Sequence, residues 1–182
     1  MGSAFSSKKK WVGRIGGALE FGACDNQIVI SNKKKTASWH IDQSHIHGRC
    51  YSSRTVKINE TVTLTAHGSG FLDIGLTDIH PLQMMKNKNM FFKHVTARVL
   101  YFEPYTVTFR INPNGEVITM EAHGSKEKQV MDLGPKPKSH WLVVKMGCGD
   151  LSVTTETPST ESTPAKNNQK SMATVAKKVT KK

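Results

Sequence analysis

An all-β domain of antiparallel strands, packed as a two-sheet sandwich, is the fold class this sequence predicts, and three observations carry it. Apolar residues recur with period two in short runs, as in strands whose alternate side chains face a core. No stripe of 3.6-residue period is long enough for a core helix. Asn112-Pro113-Asn114-Gly115 separates two alternating runs, as the tight turn of a hairpin does, because asparagine and glycine accept the positive φ that such turns need.

In chain order, Ile28-Val29-Ile30 is the first expected strand. Val56 with Ile58, and Val62 with Leu64, follow as alternating pairs. Residues 71–76 and 95–100 are longer apolar runs. Val107, Phe109 and Ile111 pair across the Asn-Gly turn with residues 117–120, and residues 142–144 and then Leu151 with Val153 close the series. Gly68-Ser69-Gly70 and Gly124-Ser125 fit β-turns between strands.

At 182 residues the chain suits one domain with appendages. The boundaries are expected at 1–18, a basic N-terminal arm; 19–153, the sandwich; and 154–182, a Ser/Thr/Pro stretch followed by a Lys-rich tail. This tail has too little apolar surface to offset its ordering entropy and is expected to be disordered. The net charge of +12 is unevenly spread. Residues 1–18 contribute four bases and no acid, and residues 154–182 six lysines against Glu156 and Glu161, so two thirds of the excess lies in the ends. The bases are 21 Lys and five Arg, which favours diffuse attraction to phosphate or lipid headgroups over the reading of bases by planar guanidinium groups.

Several function classes lack support. There is no apolar run of 18 residues and no secretory h-region, so a cytoplasmic chain is expected. Three cysteines (Cys24, Cys50 and Cys148) without a C-x-x-C pair exclude a RING finger or zinc ribbon. His40, His45, His47 and Cys50 cluster with irregular spacing, and no metal or other cofactor is expected. Neither H-E-x-x-H, nor a phosphate loop, nor G-x-S-x-G is present, and Gly13-Arg14-Ile15-Gly16-Gly17 does not complete a dinucleotide fingerprint. The chain reads as a non-enzyme.

The segments FGACDNQIVIS (21–31), Thr36-Ala37, GRCYSSR (48–54) and GFLDIGLTDIHP (70–81) resemble the Neuralized homology repeat (NHR) domain, whose most specific element is the Gly-Leu-Thr step with its following proline. The turn strand at 117–120 and WLVVKMG (141–147) are similar to the family's late hairpin and closing strand. The chain departs from the pattern at Trp39, usually arginine; at Thr55-Val56, usually Pro-Leu; and at His80, usually aspartate. The resemblance implies a SPRY-like β-sandwich that binds a peptide segment of a partner protein, often to recruit substrates to a ubiquitin ligase. Ligase activity does not carry over to a chain without RING cysteines.

Met1-Gly2-Ser3-Ala4-Phe5-Ser6 satisfies the pattern for N-myristoylation of Gly2, and is similar to the Met-Gly start of some family members. One acyl chain binds membranes only marginally, and Lys8, Lys9 and Lys10 supply the second signal, about 1 kcal/mol each at an anionic leaflet. The expected protein is a lipid-anchored adaptor, peripheral at the cytoplasmic face of membranes. Lys33, Lys34, Lys35, Arg49, Arg54, Asp78 and His80 are its candidate partner-binding residues, on loops at the sheet ends. For Arg54 and Asp78 a structural contact is the competing reading. Nucleic-acid binding through the basic ends is the alternative function.

Overall fold

The computed structural model describes residues 19–40, 47–87, 89–121 and 127–156. Gly2, Lys8, Lys9, Lys10, His45, Gly124-Ser125 and residues 157–182 lie outside them. Eleven strands and one short helix run in the order β1 (Phe21–Cys24), β2 (Ile28–Ser31), β3 (Thr36–Trp39), β4 (His47–Val56), β5 (Thr61–Thr77), α1 (Pro81–Lys86), β6 (Lys93–Tyr101), β7 (Tyr105–Ile111), β8 (Glu116–Glu121), β9 (Lys128–Asp132), β10 (His140–Gly147) and β11 (Leu151–Glu156). All the strand pairings are antiparallel.

One sheet has the order β1-β4-β10-β5-β6 and the other β2-β3-β11-β5-β7-β8-β9, so β5 belongs to both. Its first half, to Gly68, pairs with β7 and β11, and its second half, from Ser69, pairs with β6 and β10. Gly68-Ser69-Gly70 is therefore not the expected turn but the bend of one continuous strand. Gly68 and Gly70 sit at φ +108 and +136, and a Cβ on Gly68 would lie 2.1 Å from the Asp150 carbonyl oxygen. Only glycine lets the β10–β11 connection cross so closely.

The alternation read in the sequence faces one interior. Leu64, Leu72, Ile74, Leu76, Phe109, Ile111, Leu142, Val144 and Met146 from both sheets meet there fully buried, each contributing about 1.5–3 kcal/mol. The outer face of the second sheet is polar: Thr63 meets Thr108, Thr65 meets Thr106 and Thr36 meets Thr154, each hydroxyl pair at 3.0 Å. On the first sheet the outer face is covered around Tyr51 and Val143, while much of β6 stays exposed. Helix α1 and residues 90–92 bury Tyr51 and Val143 against Met84, with Met90 and Phe92 packed alongside.

The Asn-Gly hairpin forms as expected, with the Gly115 N–H donating to the Asn112 carbonyl at 2.9 Å and Ile111 opposite Val117. Ile58 does not continue a strand: β4 ends at Val56 and Ile58 lies in the turn to β5. At the C-terminal end β11 continues through Thr154, Thr155 and Glu156, past the expected boundary at 153. Buried Thr155 holds it there, donating its hydroxyl to the Leu19 carbonyl at 2.6 Å.

A cationic cleft as the candidate functional site

Three strand ends meet at one end of the first sheet. Thr77 closes β5, Lys93 opens β6 and His140 opens β10, with Trp141 opposite Thr77 and Leu76 opposite Lys93. The Gly-Leu-Thr step stands here, and each residue has a physical task. Gly75 leaves room for the Phe92 ring, which a Cβ would meet at 2.2 Å. Leu76 is core, and the Thr77 hydroxyl accepts the Ile79 N–H at 3.1 Å, turning the chain toward α1. Pro81 fits the first helical turn, and His80 caps it by accepting the Leu82 N–H on Nδ1 at 3.3 Å.

The loop after β9 folds back toward the same end. Asp132 accepts the Gly134 N–H on its carboxylate at 2.7 Å and the Lys93 ammonium on its carbonyl at 3.3 Å, and the Lys138 carbonyl accepts the His140 Nδ1–H at 2.5 Å. Between loop and sheet lies a cleft of about 450 Å³. Its apolar walls are Leu76, Phe91, Phe92 and Leu133; its polar lining is Thr77, Asp78, Lys93, Lys136, Lys138 and His140. Phe91 is 90% exposed, an aromatic ring at the rim with nothing packed over it.

Three lysines against one aspartate make this cleft cationic. Lys138 approaches Asp78 at 3.7 Å, an exposed pair that holds geometry more than energy. Burial pushes the His140 imidazole below its ordinary range, more than the Lys138 carbonyl raises it, so the ring is neutral near pH 7 with Nε2 left as an acceptor. The arrangement suits capture of an extended, acidic segment with an apolar side chain: walls for the apolar group, ammonium groups for the charge.

The residues singled out in the sequence are dispersed. Asp78 lines the cleft. His80 stands beside it as the helix cap, its ring edge-on to Trp141 at 5.3 Å. Arg49 and Arg54 lie within β4 rather than on a loop. The Arg49 guanidinium sits 5.9 Å from the Phe92 ring centroid and donates to the Met90 carbonyl at 3.4 Å, positioning the segment that forms one wall. Arg54 forms a bidentate pair with Glu60, at 2.9 and 2.5 Å, and donates to the Thr55 carbonyl. Lys33, Lys34 and Lys35 occupy the β2–β3 turn instead. Phe91, Lys93, Lys136, Lys138 and His140 were not anticipated. Pro135-Lys136-Pro137-Lys138, an alternation that cannot join a ladder, was the signal that could have revealed them.

No catalytic arrangement emerges among the described residues. Asp73 and His94 pair at 2.7 Å, but no serine, threonine or cysteine side chain there bonds to His94. Nor do three or more metal-ligating side chains converge among them; Cys50 points into the core.

A family model described as Neuralized matches residues 21–155. Two solved Drosophila melanogaster domains share the fold. The NEUZ (NHR) domain in Neuralized, a solution structure, superposes with a TM-score of 0.58 at 18% identity, over 86% of this chain and 96% of that one. The neuralized-nhr1 domain, a crystal structure, gives 0.53 at 20% identity, over 75% and 97%. No curated protein matches the sequence. Neuralized NHR domains are non-catalytic protein-interaction modules. With the family model spanning residues 21–155, which hold the motif residues, the chain belongs to the Neuralized family.

Proposed function

We propose that this protein is a lipid-anchored, non-catalytic adaptor that captures a peptide segment of a partner protein in the cleft between β5, β6, β10 and the 133–138 loop. The observation that carries the reading is the combination of apolar walls with a rim of Lys93, Lys136 and Lys138. It matches the chemistry of an acidic segment carrying a hydrophobic anchor. Gly2 takes the acyl group and Lys8, Lys9 and Lys10 meet anionic headgroups, placing the domain beside membrane-associated partners. Without RING cysteines, such an adaptor modulates ubiquitination or signalling by what it holds.

Selection of displayed random peptides on the full chain tests this reading. Binders enriched in Asp or Glu around an aromatic or aliphatic residue are expected, with affinity about tenfold lower for Lys138→Glu and for Phe91→Ala. Binders indifferent to both substitutions remove the cleft as the site. Enrichment of no sequence class removes peptide capture itself.

A further inference from the structure

A strand at the rim of a sheet leaves alternate backbone groups unpaired, and such a rim invites a further strand unless it is short. The rims formed by β1 and β2 have four residues each, and β9 has five. The β6 rim is the exception, with nine residues and pairing to β5 alone among the described residues.

The register identifies its unpaired groups. The Phe102 N–H donates to the Gly68 carbonyl at 3.0 Å, and alternation along the antiparallel ladder makes Leu100–Gly70 and Arg98–Leu72 hydrogen-bonded pairs as well. Tyr101, Val99 and Ala97, opposite Ser69, Phe71 and Asp73, are the intervening pairs, so their N–H and C=O groups point away from β5. The Tyr101 carbonyl accepts the Glu103 N–H at 2.9 Å. The Tyr101 N–H and both groups of Val99 and Ala97 meet no partner among the described residues.

The same three residues are exposed, Val99 at 57% and Tyr101 at 77%, and with Phe71 opposite Val99 they make an apolar stripe on the outer face. At its other end β6 begins with Lys93, which lines the cleft. The open rim is therefore continuous with the capture site.

Resting on the peptide-capture reading above, we infer that the acidic segment held in the cleft continues as an added β-strand on the free rim of β6, its backbone bonded to Ala97, Val99 and Tyr101. Its alternate apolar side chains cover Val99 and Tyr101. Charge selects this occupant. The strand carries Lys93, His94 and Arg98 and no acid. His94 pairs with Asp73 and Arg98 with Glu121, so Lys93, with Lys136 and Lys138 across the cleft, sets the sign the segment must answer. A second copy paired rim to rim brings no acid of β6 to these lysines; an acidic segment does.

Amide hydrogen exchange of the full chain, resolved by NMR with and without a saturating acidic peptide selected by display, tests the inference. In the free chain the Ala97, Val99 and Tyr101 amides should exchange fast and the Arg98 and Leu100 amides slowly. The peptide should slow the first set about tenfold or more and leave the second little changed. Val99→Pro removes an outward N–H without touching the β5 ladder, and should weaken the same peptide about tenfold in a domain that still melts cooperatively. If that variant fails to fold, the exchange pattern alone decides. Unchanged exchange at 97, 99 and 101, in a complex that Lys138→Glu still weakens, overturns the added strand and leaves capture by the cleft. Binding indifferent to Lys138→Glu, or a selection that enriches no sequence class, removes the capture reading and this inference with it. Concentration-dependent protection of the same amides in the free chain would assign the rim to a second copy and overturn the inference.

Discussion

Glu60 and Arg54 illustrate how a charged residue's role depends on what the turn brings near it. The Glu60 side chain is 6% exposed, and burial pushes its carboxyl upward; the Arg54 fork and the Lys57 N–H, at 2.8 Å, outweigh that and hold it below the ordinary value. A carboxyl with a depressed folded pKa stabilises fully above its unfolded value, and that stabilisation is lost as pH falls through the folded one. Acid unfolding should therefore begin as pH drops below the ordinary glutamate range. Glu60→Gln should flatten that limb while costing about 2 kcal/mol at pH 7, measured by denaturant titration across pH. Equal acid sensitivity in both proteins would refute the assignment. A structural contact was one legible reading of Arg54, but its partner was not, because Glu60 lies six residues on, across a turn whose geometry no local pattern specifies. His140 behaves similarly. Buried and neutral, it resists protonation, so stability should also decline as pH falls below the ordinary histidine range, and less so in His140→Asn, whose amide can still donate to the Lys138 carbonyl.

Among the elements, β5 organises the rest. Gly68→Ala places a methyl 2.1 Å from a carbonyl oxygen at φ +108, where the neighbouring strand connection cannot retreat without breaking pairs in both sheets. The expected outcome is a loss of about 3 kcal/mol or failure to fold, read by thermal melting, whereas Ser69→Ala between the two glycines should cost well under 1 kcal/mol. Equal effects would show that the bend is not the sensitive point. The β7–β8 hairpin was legible because its register is set locally by the Asn-Gly turn. The bend was not, since Gly-Ser-Gly serves a turn and a kink equally well until the crossing of the β10–β11 connection is known. Strand β9 and the short α1 were missed for related reasons. Lys128-Gln129-Val130-Met131-Asp132 is a half-exposed edge with little alternation, and the helix is held by Met84 packing on Tyr51 and Val143 rather than by propensity.

For the whole molecule, period two and the Gly-Leu-Thr motif were sufficient for fold class and family, because both are local records of a buried face. The cleft was largely illegible. Its residues come from 76–78, 91–93, 133–138 and 140, which meet only after the sheet has formed. Of the expected binding residues, Asp78 alone lines it. The membrane anchor adds a prediction at this scale: intact mass of the chain made in eukaryotic cells should show loss of Met1 and a myristoyl group on Gly2, and Gly2→Ala should leave the membrane fraction. An unmodified Gly2 would end the acyl part of the account.

Backbone amide NMR of the full chain, titrated with a selected acidic peptide, decides whether the cleft captures a partner segment. Shift changes are expected at Asp78, at residues 91–93 and at residues 136–140, with His140 among the largest. Changes centred instead on exposed Tyr101 and Phe102, at the opposite end of β6 from Lys93, with residues 136–140 unmoved, would contradict it.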